Sequence, residues 1–78
     1  MHRHTFPDDL LEAQTAWYVT YGQLATAPSA SSASLRRRLL RLSRQIVGHP
    51  YWRTPAGTPA ARVALKERAL TLAAGPRS

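Results

Sequence analysis

The sequence contains no cysteine in 78 residues. That absence excludes a disulfide framework, a thiol nucleophile and a thiolate zinc site. Acids are scarce as well, with four Asp and Glu against eleven Lys and Arg and a formal net charge of +7. No apolar run approaches the roughly 20 residues needed to span a bilayer. The opening "MHRHTFPDDLLEAQ" has no apolar stretch of secretory type and turns acidic almost at once, so a cytoplasmic protein is the expectation. Strand-like alternation and internal repeats are also missing, which leaves helices as the only regular structure the pattern supports.

A chain of 78 residues makes one small domain with little core to spare. Without staples it needs efficient helix packing, an oligomer or a partner to reach ordinary stability. The charge is polarised along it. Residues 1–34 carry Arg3 against Asp8, Asp9 and Glu12, a net of −2, whereas residues 35–78 carry ten bases against Glu67, a net of +9. An acidic partner is therefore met by the second half. Ten of the eleven bases are arginine. That bias follows from a high-GC genome as readily as from bidentate chemistry, so by itself it does not argue for phosphate.

Three helices are predicted. In "TFPDDLLEAQTAWYVTYGQLAT", Pro7 suits a first helical turn, and Asp8, Asp9 and Glu12 place negative charge at the positive end of the helix dipole. Leu10, Gln14 or Ala13, Trp17, Tyr21 and Leu24 recur at spacings of three and four, widened by Leu11, Tyr18 and Ala25, giving a helix over about 7–25. "TAPSASSAS", residues 26–34, has linker composition, and Ser34 is a good N-cap for the arginine-rich segment. The second helix, about 34–47, is "SLRRRLLRLSRQIV", stopped by Gly48 and Pro50. Leu35, Leu39, Leu42 and Ile46 share one narrow sector flanked by Leu40 and Val47, with Arg37, Arg41 and Arg44 opposite and Arg36 and Arg38 at the edges. After an irregular connection "HPYWRTPAGT", Thr58-Pro59 opens a third helix over about 59–74, which Gly75-Pro76 ends. Its apolar residues fall on two sides, Val63, Leu70 and Ala74 against Ala61, Leu65 and Leu72, as in a helix held between two surfaces. The predicted fold is an all-α three-helix bundle, with dimerisation as the alternative way to complete it. Residues 1–5 and 75–78 read as tails.

Each motif has a functional and a plain structural explanation. Arg37, Arg41 and Arg44 form a ladder suited to backbone phosphates, with Arg38 and Arg36 on its flanks. The plain alternative is the solvated back of a core helix, but such a face usually mixes signs and gains intrahelical pairs, and residues 35–48 hold five bases and no acid. A membrane-surface helix lacks aromatic anchors on its apolar side, and its leucines are needed for the core. Tyr51, Trp52 and Arg53 can stack on bases, anchor a protein interface or plug the open end of the bundle; the last suits so small a core best. A helix-turn-helix needs a turn of about three or four residues, far shorter than the connection from Gly48 to Thr58. His2 and His4 make at best two ligands of a metal site with no carboxylate to complete it.

Catalysis has little to stand on. Asp8, Asp9 and Glu12 are accounted for by the helix dipole, His49 has no nucleophile beside it, and the serines of 29–34 have no glycine-rich cradle around them. The arginine- and alanine-rich style resembles that of small proteins of high-GC actinobacteria, a resemblance of composition that implies no site. The sequence thus leads to a non-enzymatic basic helical module without cofactor or metal. Its favoured partner is nucleic acid, bound through the arginine helix. The alternative, of another class, is an interaction adaptor or small subunit of a larger assembly. That version uses Tyr51, Trp52 and the third helix, meets an acidic protein partner, and admits a homodimer.

Overall fold

The computed structural model describes residues 5–75. Its elements are α1 (Asp8–Thr26), α2 (Ser29–Val47), a single 3-10 turn (Pro50–Arg53) and α3 (Pro59–Ala74). The all-α three-helix architecture is therefore the one the hydrophobic pattern predicts. The expected tails fall mainly on residues 1–4 and 76–78, and these, with His2 and His4, lie outside the described residues.

α1 starts one residue later than expected. Pro7 stands at the N-cap, and its carbonyl takes the amide protons of Leu10 and Leu11 at 3.1 Å each. Ala27 is extended (φ −77°, ψ 144°), as a residue before proline is driven to be, and this ends α1 at Thr26.

The linker expected at 26–34 is not there. Only Ala27 and Pro28 separate α1 from α2, which begins at Ser29 with Pro28 as its N-cap. Ser34 is an interior helical residue, not a cap; its hydroxyl donates to the Ser31 carbonyl at 3.3 Å. Ser31 and Ser32 bond back in the same way to Pro28 and Ser29. Serine favours caps and loops because its hydroxyl competes for backbone groups. Here that competition is absorbed within the helix, and Ala30 and Ala33 supply strong helix propensity between the serines.

α3 matches its sequence signals closely. The Thr58 hydroxyl accepts the Ala61 amide proton at 3.1 Å, Pro59 sits in the first turn, and Gly75 ends the helix at φ 78°. That left-handed angle suits glycine, which carries no Cβ to clash.

The helices run up, down and up. Trp17 of α1 donates its indole proton to Ser43 of α2 at 2.9 Å, while Arg38, earlier on α2, reaches Thr20, later on α1; the pair is antiparallel. α3 runs parallel to α1, since Gln14 adjoins Leu65 and Lys66 whereas Tyr21 and Gly22 adjoin Leu70, Ala73 and Ala74. Both outer helices pack on α1. The molecule measures 45 × 34 × 17 Å, a flattened layer in which the two outer helices flank α1.

The core lies along α1. Leu10, Ala13, Leu42, Ala61, Leu65 and Ala69 are buried, together with Gln14 and Thr20. On α3 the buried residues are spaced by four, with small Ala61 and Ala69 on either side of Leu65, and alanine lets helix backbones approach closely. α3 is therefore not held between two surfaces within this chain. Its Ala61 side packs on α1, and Val63, Leu70 and Leu72 are exposed. Leu40 and Val47 are also exposed rather than flanking a buried sector. Tyr21, placed by spacing on the inner face of α1, is 55% exposed and instead stacks flat on Trp17 at 5.3 Å. Thr20 takes the inner position, because α1 is covered on two flanks and its buried residues are Leu10, Ala13, Gln14 and Thr20.

Leu65 is 1% exposed, and trimming a buried leucine costs about 2–5 kcal/mol. Leu65→Ala is expected to lower stability by that amount in urea unfolding. Val63→Ser, on the open side of the same helix, should change it by less than about 0.5 kcal/mol. Equal effects at the two positions would contradict the assigned inner face.

Candidate functional site

All five arginines of α2, namely Arg36, Arg37, Arg38, Arg41 and Arg44, are exposed. Leu42 is buried on the opposite side of the helix. At 100° per residue Arg37, Arg41 and Arg44 fall within about 60° of one another, and a rise of about 1.5 Å per residue spreads them over about 10 Å. None of the three makes a side-chain hydrogen bond or ion pair among the described residues, where the one acid–base contact is His49 with Asp9. The flanking pair is tethered. Arg36 donates to the Ser32 hydroxyl at 3.2 Å, and Arg38 donates through Nε to the Thr20 hydroxyl at 3.1 Å. Thr20 is 1% exposed, so Arg38 lies down toward α1 with its terminal nitrogens unspent. The result is a cationic face with three free guanidinium groups and two anchored ones.

Tyr51, Trp52 and Arg53 form a separate corner at the other end of α2. The Trp52 indole donates to the Ile46 carbonyl at 2.6 Å, one of the α2 carbonyls that the end of the helix leaves without a helical partner. Arg62 of α3 lies 5.0 Å from the Trp52 ring centroid, a cation–π contact. Tyr51 meets Trp52 edge-on at 5.2 Å and Phe6 at 5.8 Å, and its hydroxyl is 3.4 Å from the Thr5 and Ala56 carbonyls. Gly57 closes the corner: a Cβ there would stand 2.6 Å from Trp52 Cα and the Tyr51 carbonyl oxygen. Trp52 and Tyr51 are only partly exposed, whereas Arg53 faces solvent. The two rings join α1, α2 and α3 at one end, and of the triplet Arg53 is the most exposed.

His49 completes this corner through a contact that no sequence motif signals. Its Nδ1 accepts the Tyr51 amide proton at 3.1 Å, which leaves Nε2 as the protonated nitrogen, 3.1 Å from both Asp9 carboxylate oxygens. The residues are forty apart in sequence, and no local pattern pairs them. The hydrogen bond from His49 is the main cause that holds the Asp9 carboxyl below its usual range; desolvation opposes it, and the electrostatic attraction of His49 and the backbone amide of Leu10 add to the lowering.

No group of three or more metal-ligating side chains occurs among the described residues, and none of their helices is long and apolar enough to cross a membrane. Fold and surface together define a small, basic, all-helical module. The model of a domain family of unknown function, DUF8825, matches residues 9–68, a span running from Asp9 through the arginine helix and the aromatic corner into α3, and the chain belongs to this family. No curated protein and no solved structure matches the chain.

A carboxyl whose pKa is lowered in the folded state contributes stability above its unfolded pKa, and that contribution is lost as pH falls through the folded value. Asp9→Asn should therefore be less stable than the parent chain at neutral pH, with the difference vanishing as pH drops below about 4. Thermal melts of the two proteins at stepped pH check this. A difference that persists undiminished in strong acid would show that the carboxylate is not its source.

Proposed function

We propose that this chain is a non-enzymatic, cytoplasmic nucleic-acid-associated module that binds backbone phosphates through Arg37, Arg41 and Arg44, with Arg38 and Arg36 alongside. The observation that supports this most directly is that three neighbouring guanidinium groups on one helix face are exposed and unpaired. A purely solvated face gains by intrahelical ion pairs, and this one forgoes them along the whole of α2. Contacts of this kind neutralise phosphate and release counterions without reading base edges. The eleven residues 48–58 between α2 and α3, with one 3-10 turn among them, agree with backbone binding rather than with a helix-turn-helix groove reader.

The adaptor reading, which uses Tyr51, Trp52 and α3, draws its support from the exposed Val63, Leu70 and Leu72, which suit a protein partner, and from the half-exposed Tyr51 and Trp52 rings.

Each phosphate contact on duplex DNA contributes about 0.9 to the slope of log K against log salt. The variant Arg37→Gln/Arg41→Gln/Arg44→Gln should bind duplex or single-stranded nucleic acid more weakly and lower that slope by about 2 to 3, with its helical content unchanged. Salt-titrated fluorescence anisotropy on DNA and RNA measures both quantities. An unaltered affinity and slope would remove the ladder from the mechanism.

A further inference from the structure

A groove opens where the three helices converge. Its tighter end, about 110 Å³, lies among Gln14, Trp52, Arg62, Leu65 and Lys66. The adjoining trough, about 390 Å³, adds Trp17, Tyr18 and Ser43. Both parts share Gln14, Ile46, Val47 and Lys66, so they form one continuous site. Together they reach the size of ordinary small-ligand pockets, about 300–1,000 Å³.

Three features set its chemistry. The trough is mainly apolar and aromatic, from Trp17, Tyr18, Ile46 and Val47, although Val47 is 71% exposed. Gln14 is 5% exposed, yet its amide has no hydrogen-bond partner among the described residues. Among the described residues no fully enclosed side-chain polar atom is left without a partner, so the amide keeps its residual exposure at the groove it lines. A primary amide in that position favours any ligand able to exchange hydrogen bonds with it. The third feature is cationic. Lys66 has no acidic partner among the described residues, and Arg62 lies over Trp52 at the tighter end.

We propose that this groove is a binding site for an anionic amphiphile, a monocarboxylate carrying an apolar body of about a dozen carbons. The carboxylate accepts from the Lys66 ammonium, the Arg62 guanidinium and the Gln14 amide N–H. The body lies along Trp17, Tyr18, Ile46 and Val47. A nucleic-acid backbone makes no use of such a trough, and a neutral or cationic lipid leaves Lys66 and Arg62 without a counter-charge. The site is independent of the phosphate ladder, since it uses Ser43, Ile46 and Val47 of α2 rather than Arg37, Arg41 and Arg44.

Titration of the full chain with laurate below its micellar concentration tests the proposal, followed by calorimetry and tryptophan fluorescence. 1-Naphthylacetate provides an aromatic arm, and decanol and dodecyltrimethylammonium serve as neutral and cationic counterparts. Saturable one-to-one binding of either carboxylate is expected, and the tighter of the two identifies the body as alkyl or aromatic. Lys66→Gln and Val47→Glu, both at exposed positions with the fold checked by circular dichroism, should each raise Kd about tenfold or more. Gln14→Leu should weaken carboxylate binding while leaving the protein at least as stable. Arg37→Gln/Arg41→Gln/Arg44→Gln should leave it unchanged, which separates failure here from failure of the nucleic-acid reading. Four results would overturn the proposal: no saturation by either carboxylate, uptake indifferent to Lys66→Gln and Val47→Glu, equal affinity for decanol or the cationic amphiphile, or a groove that takes only an acidic amphipathic peptide.

Discussion

One helix must serve two neighbours. α1 is the surface on which both α2 and α3 pack, and the rest of the molecule is shaped by that constraint. A helix buried on one flank can concentrate its apolar residues in a single stripe. α1 spreads its buried residues across Leu10, Ala13, Gln14 and Thr20, which is why two of the four are polar. Polar groups at such positions are tolerable only when they are satisfied or kept open to solvent or ligand. Thr20 is satisfied by Arg38; Gln14 faces the groove. The same arrangement makes the layer thin, so the outer helices keep apolar residues exposed that a thicker bundle would cover.

A thin layer also leaves its ends open, and the chain closes one of them with side-chain hydrogen bonds and ring contacts. The Trp52 indole caps a carbonyl at the end of α2 while its ring receives Arg62 from α3. His49 ties the start of the connection to the first turn of α1 through Asp9. These contacts link all three helices where direct packing between α2 and α3 is sparse. Asp9 is largely exposed, so its pair with His49 orients the connection more than it stabilises the whole. Trp52, with a buried edge and a satisfied N–H, carries more of the burden.

Much of this is legible in residue spacing. The stripe of Leu35, Leu39, Leu42 and Ile46 predicts the inner face of α2, and Thr58-Pro59 with Gly75 predicts both ends of α3. The start of α2 is not legible, because "SASSAS" has the composition of a linker. Composition reports local preference, whereas a two-residue connection at Ala27 and Pro28 lets a packed helix propagate backward through residues of modest propensity. Tyr21 departs from its expected side because a spacing of three and four admits more than one register when a helix has two covered flanks. Exposure of the arginines is a consequence of periodicity. The His49–Asp9 pair, the tether of Arg38 to Thr20 and the groove around Gln14 are not, since each depends on how distant segments are brought together.

The arrangement of charge gives the two proposed surfaces a common physical basis. With acids confined to α1 apart from Glu67, and Asp9 already engaged by His49, nothing on α2 lowers the positive potential around its arginines. Fields of this kind concentrate anions near a surface whatever their chemistry, so charge alone cannot distinguish a phosphate chain from a carboxylate. Discrimination has to come from what lies beneath the cations. Around Arg37, Arg41 and Arg44 there is an open, mostly polar helix face with Leu40 at its edge, which favours an extended polyanion that keeps its own hydration. Beside Lys66 and Arg62 there is an aromatic trough with a buried amide, which favours an anion attached to something that leaves water willingly. Two ligand classes can thus be sorted by one small basic module, through the apolar surface that accompanies each cluster rather than through the clusters themselves.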